Sequence, residues 1–239
     1  MAVRLGAKAV GSIVKIKVNG TVKDFIIVQQ GLPSSAYDAS CNGVWVVMKD
    51  IYTTRNWDDS NCNYLNSDMT AYLNGTFISL IDADIRNAIK QVKIPYINYS
   101  DDNVMSGSNG LSCKVFLLSS TEVGFSGVSY MTTEGAKLSY FDSASKRVAY
   151  NGSAAAVWWL RSQSSNGYVS VWGVYPDGSD RSLRCYDLYG VRPAFVLPSE
   201  LVVSDDGTVS TNTAPSTPWN ISVPSSIMGG TNISISWAK

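Results

Sequence analysis

Short apolar stretches alternate with polar turns along most of the chain, a pattern typical of β-strands. Between residues 10 and 31, two apolar segments flank Asn19-Gly20, the dipeptide that most strongly favours a two-residue hairpin turn. A continuous apolar run follows at residues 43–48, and a shorter one at residues 114–119. The pattern therefore predicts an N-terminal β-hairpin, a strand buried on both faces and a further short buried strand.

Two short helices are predicted between these strands. Ser67 is a suitable N-cap for a helix over residues 68–73, and Asn74-Gly75 favours a left-handed stop. A second apolar stripe at helical spacing predicts a helix over residues 82–92. We expect this stripe to face the core rather than a ligand.

The most distinctive stretch runs from residue 158 to residue 195. Its ends read Trp-Trp-Leu-Arg-Ser at 158–162 and Tyr-Gly-Val-Arg-Pro-Ala-Phe at 189–195, and both are rich in the bulky residues of core strands. Between them, alternating segments at 168–172 and 182–186 flank Pro-Asp-Gly, in which proline presets φ and glycine accepts a positive φ. This pattern predicts a second hairpin, held at its ends by the core.

The second hairpin carries the side chains that commonly dominate binding surfaces. Tyr, Trp and Arg are enriched at binding hot spots, and recognition loops are rich in Tyr, Ser, Gly and Asn. An antiparallel sheet also exposes such residues because cross-strand pairs stabilise it, so a purely structural interpretation stays open. The candidate ligand-binding residues are Tyr168, Ser170, Trp172, Tyr175, Asp177, Arg181, Arg184 and Tyr186.

Composition narrows the functional classes. Nineteen basic and 19 acidic residues cancel, so the chain lacks the basic stripe expected of a nucleic-acid partner. No apolar run approaches the ~20 residues that span a bilayer, so we expect no membrane insertion. The N-terminus lacks the pattern of a signal peptide, which predicts synthesis in the cytoplasm.

The chemistry-bearing residues do not predict a catalytic or metal site. The absence of histidine removes Ser-His-Asp and Cys-His catalysis and the commonest metal ligand. Cysteines 41, 62, 113 and 185 lack zinc-site spacing, and cytoplasmic synthesis favours thiols, although Cys41 and Cys62 could be bridged. We therefore predict no cofactor, no metal and no enzyme. The enzyme alternative is a carboxylate pair, Asp177 with Asp180 or Asp187.

The C-terminal part has a different character. Residues 210–218 form a Ser/Thr/Asn/Pro linker after a first domain at 1–209. Residues 219–239 contain two alternating segments that look like the first strands of an immunoglobulin-like or fibronectin-type sandwich, a fold that needs about seven strands. The chain is therefore predicted to come from a longer multidomain protein.

The Trp-Trp-Leu-Arg-Ser and Gly-Val-Arg-Pro-Ala-Phe segments resemble a family of bacterial and phage domains without an assigned function. Its C-terminal part is similar to the C-type-lectin fold of formylglycine-generating enzymes and of the variable proteins of diversity-generating retroelements. This resemblance implies an α+β, C-type-lectin-like domain with an N-terminal hairpin and two short helices, followed by the immunoglobulin-like strands. It also implies that Arg161 and Arg192 are scaffold residues, and that one of Trp158 and Trp159 lies near the ligand face.

The resemblance implies a binding module on a phage virion or tail fibre. The expected partner is a host-surface protein or glycan, recognised by the second hairpin, whose residues 163–188 are of the types that adenine-directed diversification produces. The alternative is a decoration or assembly protein that contacts other virion subunits. A homotrimer, common among phage fibres, would then bury part of the hairpin face.

Overall fold

Short strands dominate residues 2–60, 62–98, 103–165 and 169–211, which are the residues that the computed structural model describes. The strands are β1 Val3–Arg4, β2 Ile13–Val18, β3 Thr21–Gln30, β4 Val44–Met48, β5 Thr53–Arg55, β6 Val92–Ile94, β7 Tyr96–Ile97, β8 Val104–Met105, β9 Leu111–Cys113, β10 Val115–Phe116, β11 Tyr150–Asn151, β12 Ala154–Ala155, β13 Trp158–Gln163, β14 Ser170–Val174, β15 Asp180–Arg184, β16 Tyr189–Val191, β17 Ala194–Leu197, β18 Val202–Val203 and β19 Val209–Ser210. The helical segments are α1 Asp68–Ala71, a π turn Tyr72–Phe77, α2 Ile78–Leu80, α3 Ala83–Ala88 and 3-10 turns at Leu5–Ala7, Ala39–Cys41, Tyr64–Asn66 and Ala144–Arg147.

Two five-stranded sheets organise the molecule. The first has the order β10-β17-β4-β3-β2 and is antiparallel throughout. The second has the order β15-β14-β13-β16-β5, with one parallel pair between β13 and β16. Because β13 lies at the centre of the second sheet, its neighbours hold it from both sides.

A pair of chain segments crosses from one large sheet to the other. β4 pairs with β17 in the first sheet, and their continuations β5 and β16 pair in the second. At the corner between the sheets, Arg192 is fully buried and donates from Nε to the Met48 carbonyl at 3.1 Å and from Nη2 to the Lys49 carbonyl at 3.0 Å. Its guanidinium stacks on the ring of Trp158 at 4.4 Å, so one arginine fixes the corner.

The α+β, C-type-lectin-like fold class expected from the sequence is wrong. The described residues are β-rich, with 37% strand and 16% helix, and the longest helical stretch among them is the 13 residues from α1 to α2. The helix predicted over residues 82–92 is confirmed in part, as α3 at Ala83–Ala88, and its apolar stripe of Ile81, Ile85, Ile89 and Val92 is buried as expected. The two ends of the stripe lie outside the helix, because Ile81 bridges Val18 and Val92 begins β6. No helix among the described residues is long and apolar enough to cross a membrane.

The N-terminal hairpin is confirmed. β2 and β3 pair in register up to Val18 opposite Thr21, with Asn19 and Gly20 between them at φ values of 50° and 69°. Both turn residues need a positive φ, which explains why this dipeptide predicted the turn. The five residues of β4 are all buried, as their continuous apolar run indicated.

The helix prediction is right at its start and wrong at its end. The Ser67 hydroxyl accepts from the Thr70 amide at 3.0 Å, as an N-cap does. The chain then continues through Asn74-Gly75 as a π turn instead of stopping. The side chain of Asn74 instead bonds the backbone of Lys114 and Val115 at 2.9–3.1 Å, so a tertiary contact outweighs the local stop signal.

The C-terminal predictions lie outside the described residues. Residues 212–239 contain nearly all of the predicted linker and the whole immunoglobulin-like segment. The described chain ends shortly after β19, which pairs with β18 and closes a three-stranded sheet with β1.

Candidate functional site

A buried ion cluster anchors β13, the strand that pairs with the first strand of the candidate hairpin. All six residues of β13 are buried, including Trp158 and Trp159, both with 0% exposure. The expectation that one tryptophan lies near the ligand face is therefore wrong, because a central strand is covered on both faces. Arg161 donates from Nη1 and Nη2 to the two carboxylate oxygens of Glu122, at 2.6 and 2.8 Å, and from Nε to Glu134 at 2.9 Å.

The remaining bonds of this cluster reach several loops. Arg161 also donates to the carbonyls of Leu117 and Pro95, at 2.9 and 3.1 Å. Glu122 accepts from the Tyr37 hydroxyl at 2.8 Å and from the Ser119 amide at 2.9 Å. The bonds join five segments that are distant in sequence, so the cluster fixes β13 in place. Arg161 and Arg192 thus make the buried contacts that were expected of scaffold residues.

Burial changes the proton affinities in the cluster. Burial lowers the pKa of Arg161, but the charges of Glu122 and Glu134 outweigh this effect and hold the pKa well above its ordinary value. Burial raises the pKa of Glu134, although Arg161 and the Ser162 hydroxyl act in the opposite direction. Burial therefore favours the protonated form of Glu134.

The second hairpin forms where the sequence predicted it. β14 and β15 pair antiparallel, with Ser170 opposite Arg184 and Val174 opposite Asp180. The turn between them contains Gly178 at φ 81°, where an added Cβ would lie 2.1 Å from a backbone oxygen. Only glycine fits this position, which makes the closed end of the hairpin rigid.

Three of the predicted binding residues lie at this closed end. The guanidinium of Arg181 stacks on the half-buried ring of Tyr175 at 4.7 Å. The carboxylate of Asp177 accepts from the amide and hydroxyl of Ser179 at 2.9 and 2.6 Å, the arrangement of a turn aspartate. The hydroxyl and amide of Ser179 lower the pKa of Asp177. The local turn thus accounts for Asp177 without acid–base chemistry.

Trp172 is not part of an exposed face. Its side chain is 5% exposed, because β14 lies between β13 and β15, and its neighbours Val171 and Val174 are fully buried. The prediction that it faces solvent is wrong for this reason. Its indole N–H has no hydrogen-bond partner among the described residues.

The other predicted residues lie at the open end of the hairpin. Ser170 is half-buried and faces Arg184, which is exposed, and Tyr186 is 48% exposed beyond the strand. Tyr168 falls outside the described residues. Arg181 and Arg184 are three positions apart on one strand, so their side chains leave opposite faces of the sheet. The eight candidates therefore do not form one patch.

Two exposed apolar residues in the segments that flank β14 and β15 were not predicted. Val169 is 42% exposed and its carbonyl accepts from the Cys185 amide at 3.0 Å, while Leu188 is 68% exposed. Val169 has the same period as the buried Val171, and Leu188 stands alone in a polar loop, so the local pattern carried no signal for their exposure. We call Val169, Ser170, Arg184, Tyr186 and Leu188 the open-end surface.

The cysteines are all free thiols in the interior. The Cys62 thiol interacts with both the side chain and the backbone of Cys185, so the neighbour of Cys62 is not Cys41. Trp57 and Asp58 donate their amides to the Cys185 carbonyl at 2.7 and 3.1 Å, which ties this loop to the end of β15. Burial raises the pKa of both thiols. Among the described residues, no group of three or more acidic or cysteine side chains could hold a metal ion.

The two sheets, their shared corner and the buried cluster define a β-rich domain that supports a rigid hairpin. A family model described as "Domain of unknown function (DUF6273)" matches residues 42–199, about two thirds of the 239-residue chain. The chain belongs to this family. The match begins just before β4 and ends just after β17, so it includes the corner, the cluster and the second hairpin. No curated protein and no solved structure matched the chain.

Proposed function

We propose that the protein is a binding module of a phage virion or tail fibre, and that its open-end surface recognises a protein or glycan on the bacterial surface. The observation that carries this proposal is the exposure of Tyr186, Leu188 and Val169 in the chain segments that flank β14 and β15. Large exposed apolar side chains that form a patch often mark an interaction surface. Arg184 beside them adds a charged group able to make directional hydrogen bonds.

The rigid base supports recognition for an energetic reason. Binding costs conformational entropy for every side chain and loop that becomes ordered. Here the Arg161 cluster fixes β13, and the turn at Gly178 fixes the far end of the hairpin. The Cys185 carbonyl accepts from the amides of Trp57 and Asp58, so the backbone beside Tyr186 is also held by the fold. The binding free energy then depends mainly on the contacts of the surface itself.

The test is adsorption of the fluorescently labelled protein to a panel of bacterial cells. Tyr186→Ala combined with Leu188→Ser should lower cell binding at least tenfold, because truncation of a central aromatic or aliphatic anchor commonly costs ~2 kcal/mol or more. The matched control is Tyr150→Ala, since Tyr150 is 46% exposed and lies on β11, outside the hairpin. Equal binding by both variants and the wild type contradicts the proposal.

Treatment of the cells separates the two ligand classes. Loss of binding after protease treatment indicates a protein ligand, and loss after periodate oxidation indicates a glycan. The second candidate function is an assembly role in the virion, which the exposure of Leu188 at 68% also favours. In that case the paired substitutions leave cell binding unchanged and prevent incorporation of the protein into particles.

A further inference from the structure

Most edges of the two large sheets are covered or short. β2 is covered because the Lys15 amide donates to the Gly207 carbonyl at 2.8 Å and the Asn19 amide to the Leu80 carbonyl at 2.7 Å. The side chain of Asn74 bonds the exposed backbone of β10. β5 contains only three residues. Covered or short edges are the usual protection against pairing with another chain.

β15 is a five-residue edge strand with a different character. The Tyr175 amide donates to Ser179 at 2.8 Å and the Cys185 amide to Val169 at 3.0 Å, so odd-numbered residues of this strand turn their backbone groups toward β14. The even-numbered residues Asp180 and Ser182 therefore turn theirs outward. Within the described residues, no backbone hydrogen bond uses these outward groups.

The sequence of β15 is complementary to itself. It reads Asp180-Arg181-Ser182-Leu183-Arg184. An antiparallel copy centred on Ser182 places Asp180 opposite Arg184 twice, once on each side of the centre. Opposite charges directly across an antiparallel pair stabilise it. The outward-facing backbone groups of Asp180 and Ser182 and the Arg184 amide fall on the same even positions, while the Arg184 carbonyl already accepts from the Asp187 amide at 3.1 Å. Hydrogen bonding and charge therefore select one register.

We propose that β15 pairs antiparallel with β15 of a second copy of this chain, about a two-fold axis at Ser182, joining the two five-stranded sheets. The axis makes the interface isologous, the commonest arrangement of homodimers. The inference goes beyond the proposed binding function and does not rest on it. The joint shares Arg184 with the open-end surface, whereas Asp180 and Ser182 lie outside that surface. The same pairing would place the two copies of Tyr186 at opposite ends of the joint, roughly 27 Å apart along the strands.

The expected association is weak. A joint formed by one five-residue strand from each copy is small, and small interfaces are typical of transient complexes. We therefore expect a dissociation constant on the order of micromolar or weaker, with tighter association at low salt because the Asp180–Arg184 pairs lie at the surface.

Sedimentation velocity over a concentration series tests the proposal on the full chain. Ser182→Pro removes the central outward N–H and should leave the protein monomeric, whereas Ser182→Ala should dimerise as the wild type does. The proline is compatible with the fold because this N–H does not face β14, and an unchanged melting temperature checks this. A wild type that stays monomeric up to millimolar concentration, or a dimer that survives Ser182→Pro, overturns the proposal.

A charge exchange provides the second test. Asp180→Arg gives a strand with positive charges at positions 180 and 184. Arg184→Asp gives a strand with negative charges at the same two positions. Each variant alone should be monomeric, and an equimolar mixture should form a heterodimer, detected by energy transfer between differently labelled variants. A mixture that remains monomeric under conditions where the wild type dimerises places the interface elsewhere and overturns the assignment to β15.

Discussion

Arg161 donates to both carboxylate oxygens of Glu122, at 2.6 and 2.8 Å, and both side chains have 0% exposure. Glu134 contacts the same guanidinium through Nε at 2.9 Å. The Arg161 guanidinium thus pairs with two carboxyl groups in the interior, where an uncompensated charge is costly. Glu122 makes the bidentate pair with Arg161, whereas burial raises the pKa of Glu134 and so favours its protonated form.

The first prediction concerns this division of roles. Glu122→Gln should destabilise the fold by about 3–5 kcal/mol, because it leaves the buried Arg161 without its bidentate anion. Glu134→Gln is the matched comparison and should cost less, because Glu134 accepts one bond from Arg161 where Glu122 accepts two, and burial already favours the uncharged form of Glu134. Urea denaturation measures both. Equal destabilisation by the two substitutions would contradict this division of roles.

The second prediction is the pH dependence of stability. The pKa of Glu134 in the folded state is raised above its ordinary value of 4.5, so the fold favours the protonated form. The stability from this group is therefore complete below pH 4.5 and is lost as the pH rises through the folded-state pKa. Glu134→Gln should gain stability relative to the wild type as the pH increases above 4.5. A difference that is constant with pH would contradict the raised pKa.

The positions of the two hairpins and of β4 could be predicted from local pattern, because turns such as Asn19-Gly20 impose their own backbone geometry. The buried roles of Arg161 and Arg192 were also predictable, since an arginine between core aromatics needs carbonyl or carboxylate partners. The end of the first helix was not predictable, because Asn74-Gly75 is typical of a helix stop. The side chain of Asn74 instead bonds the backbone of β10. The order of strands in a sheet is a tertiary property that local spacing does not contain.

The candidate site was predicted less well for the same reason. Alternation correctly indicates that Ser170, Trp172 and Val174 share one face of β14. It does not indicate that β14 lies inside a five-stranded sheet, and this position buries Trp172. The exposed positions beyond the strand ends, such as Leu188, follow no period and become visible only in three dimensions.

The third prediction separates core from surface in the hairpin. Trp172→Ala should cost about 3–5 kcal/mol of stability, because the side chain is 5% exposed and its removal leaves a cavity. Tyr186→Ala should change stability by about 0.5 kcal/mol or less, since the ring is 48% exposed. Thermal and urea unfolding measure both effects. If Tyr186→Ala costs as much as Trp172→Ala, the open end is part of the core and is unsuited to binding.

The fourth prediction concerns the thiols. Burial raises the pKa of Cys41 to about 11 and that of Cys113 to about 12, and it also raises the pKa values of Cys62 and Cys185. Since the thiolate is the reactive form, all four cysteines should react slowly with Ellman's reagent in the native protein and rapidly after unfolding. A fast native reaction at any of them would show that its surroundings open readily.

Glutathione disulfide should then produce one intramolecular bond, between Cys62 and Cys185, because these two thiols are neighbours in the fold. Each thiol loses a proton, and the electron pair passes to the glutathione disulfide, which leaves as two glutathione thiols. Peptide mapping should find Cys41 and Cys113 unbridged, and Cys62→Ser should abolish the bond while Cys41→Ser retains it. A bond of this span should stabilise the fold by up to about 4–5 kcal/mol and fix the segment that carries Arg184 and Tyr186. A Cys41–Cys62 bond formed without unfolding would contradict this arrangement, because the loop at Trp57 ties Cys62 to the end of β15 instead.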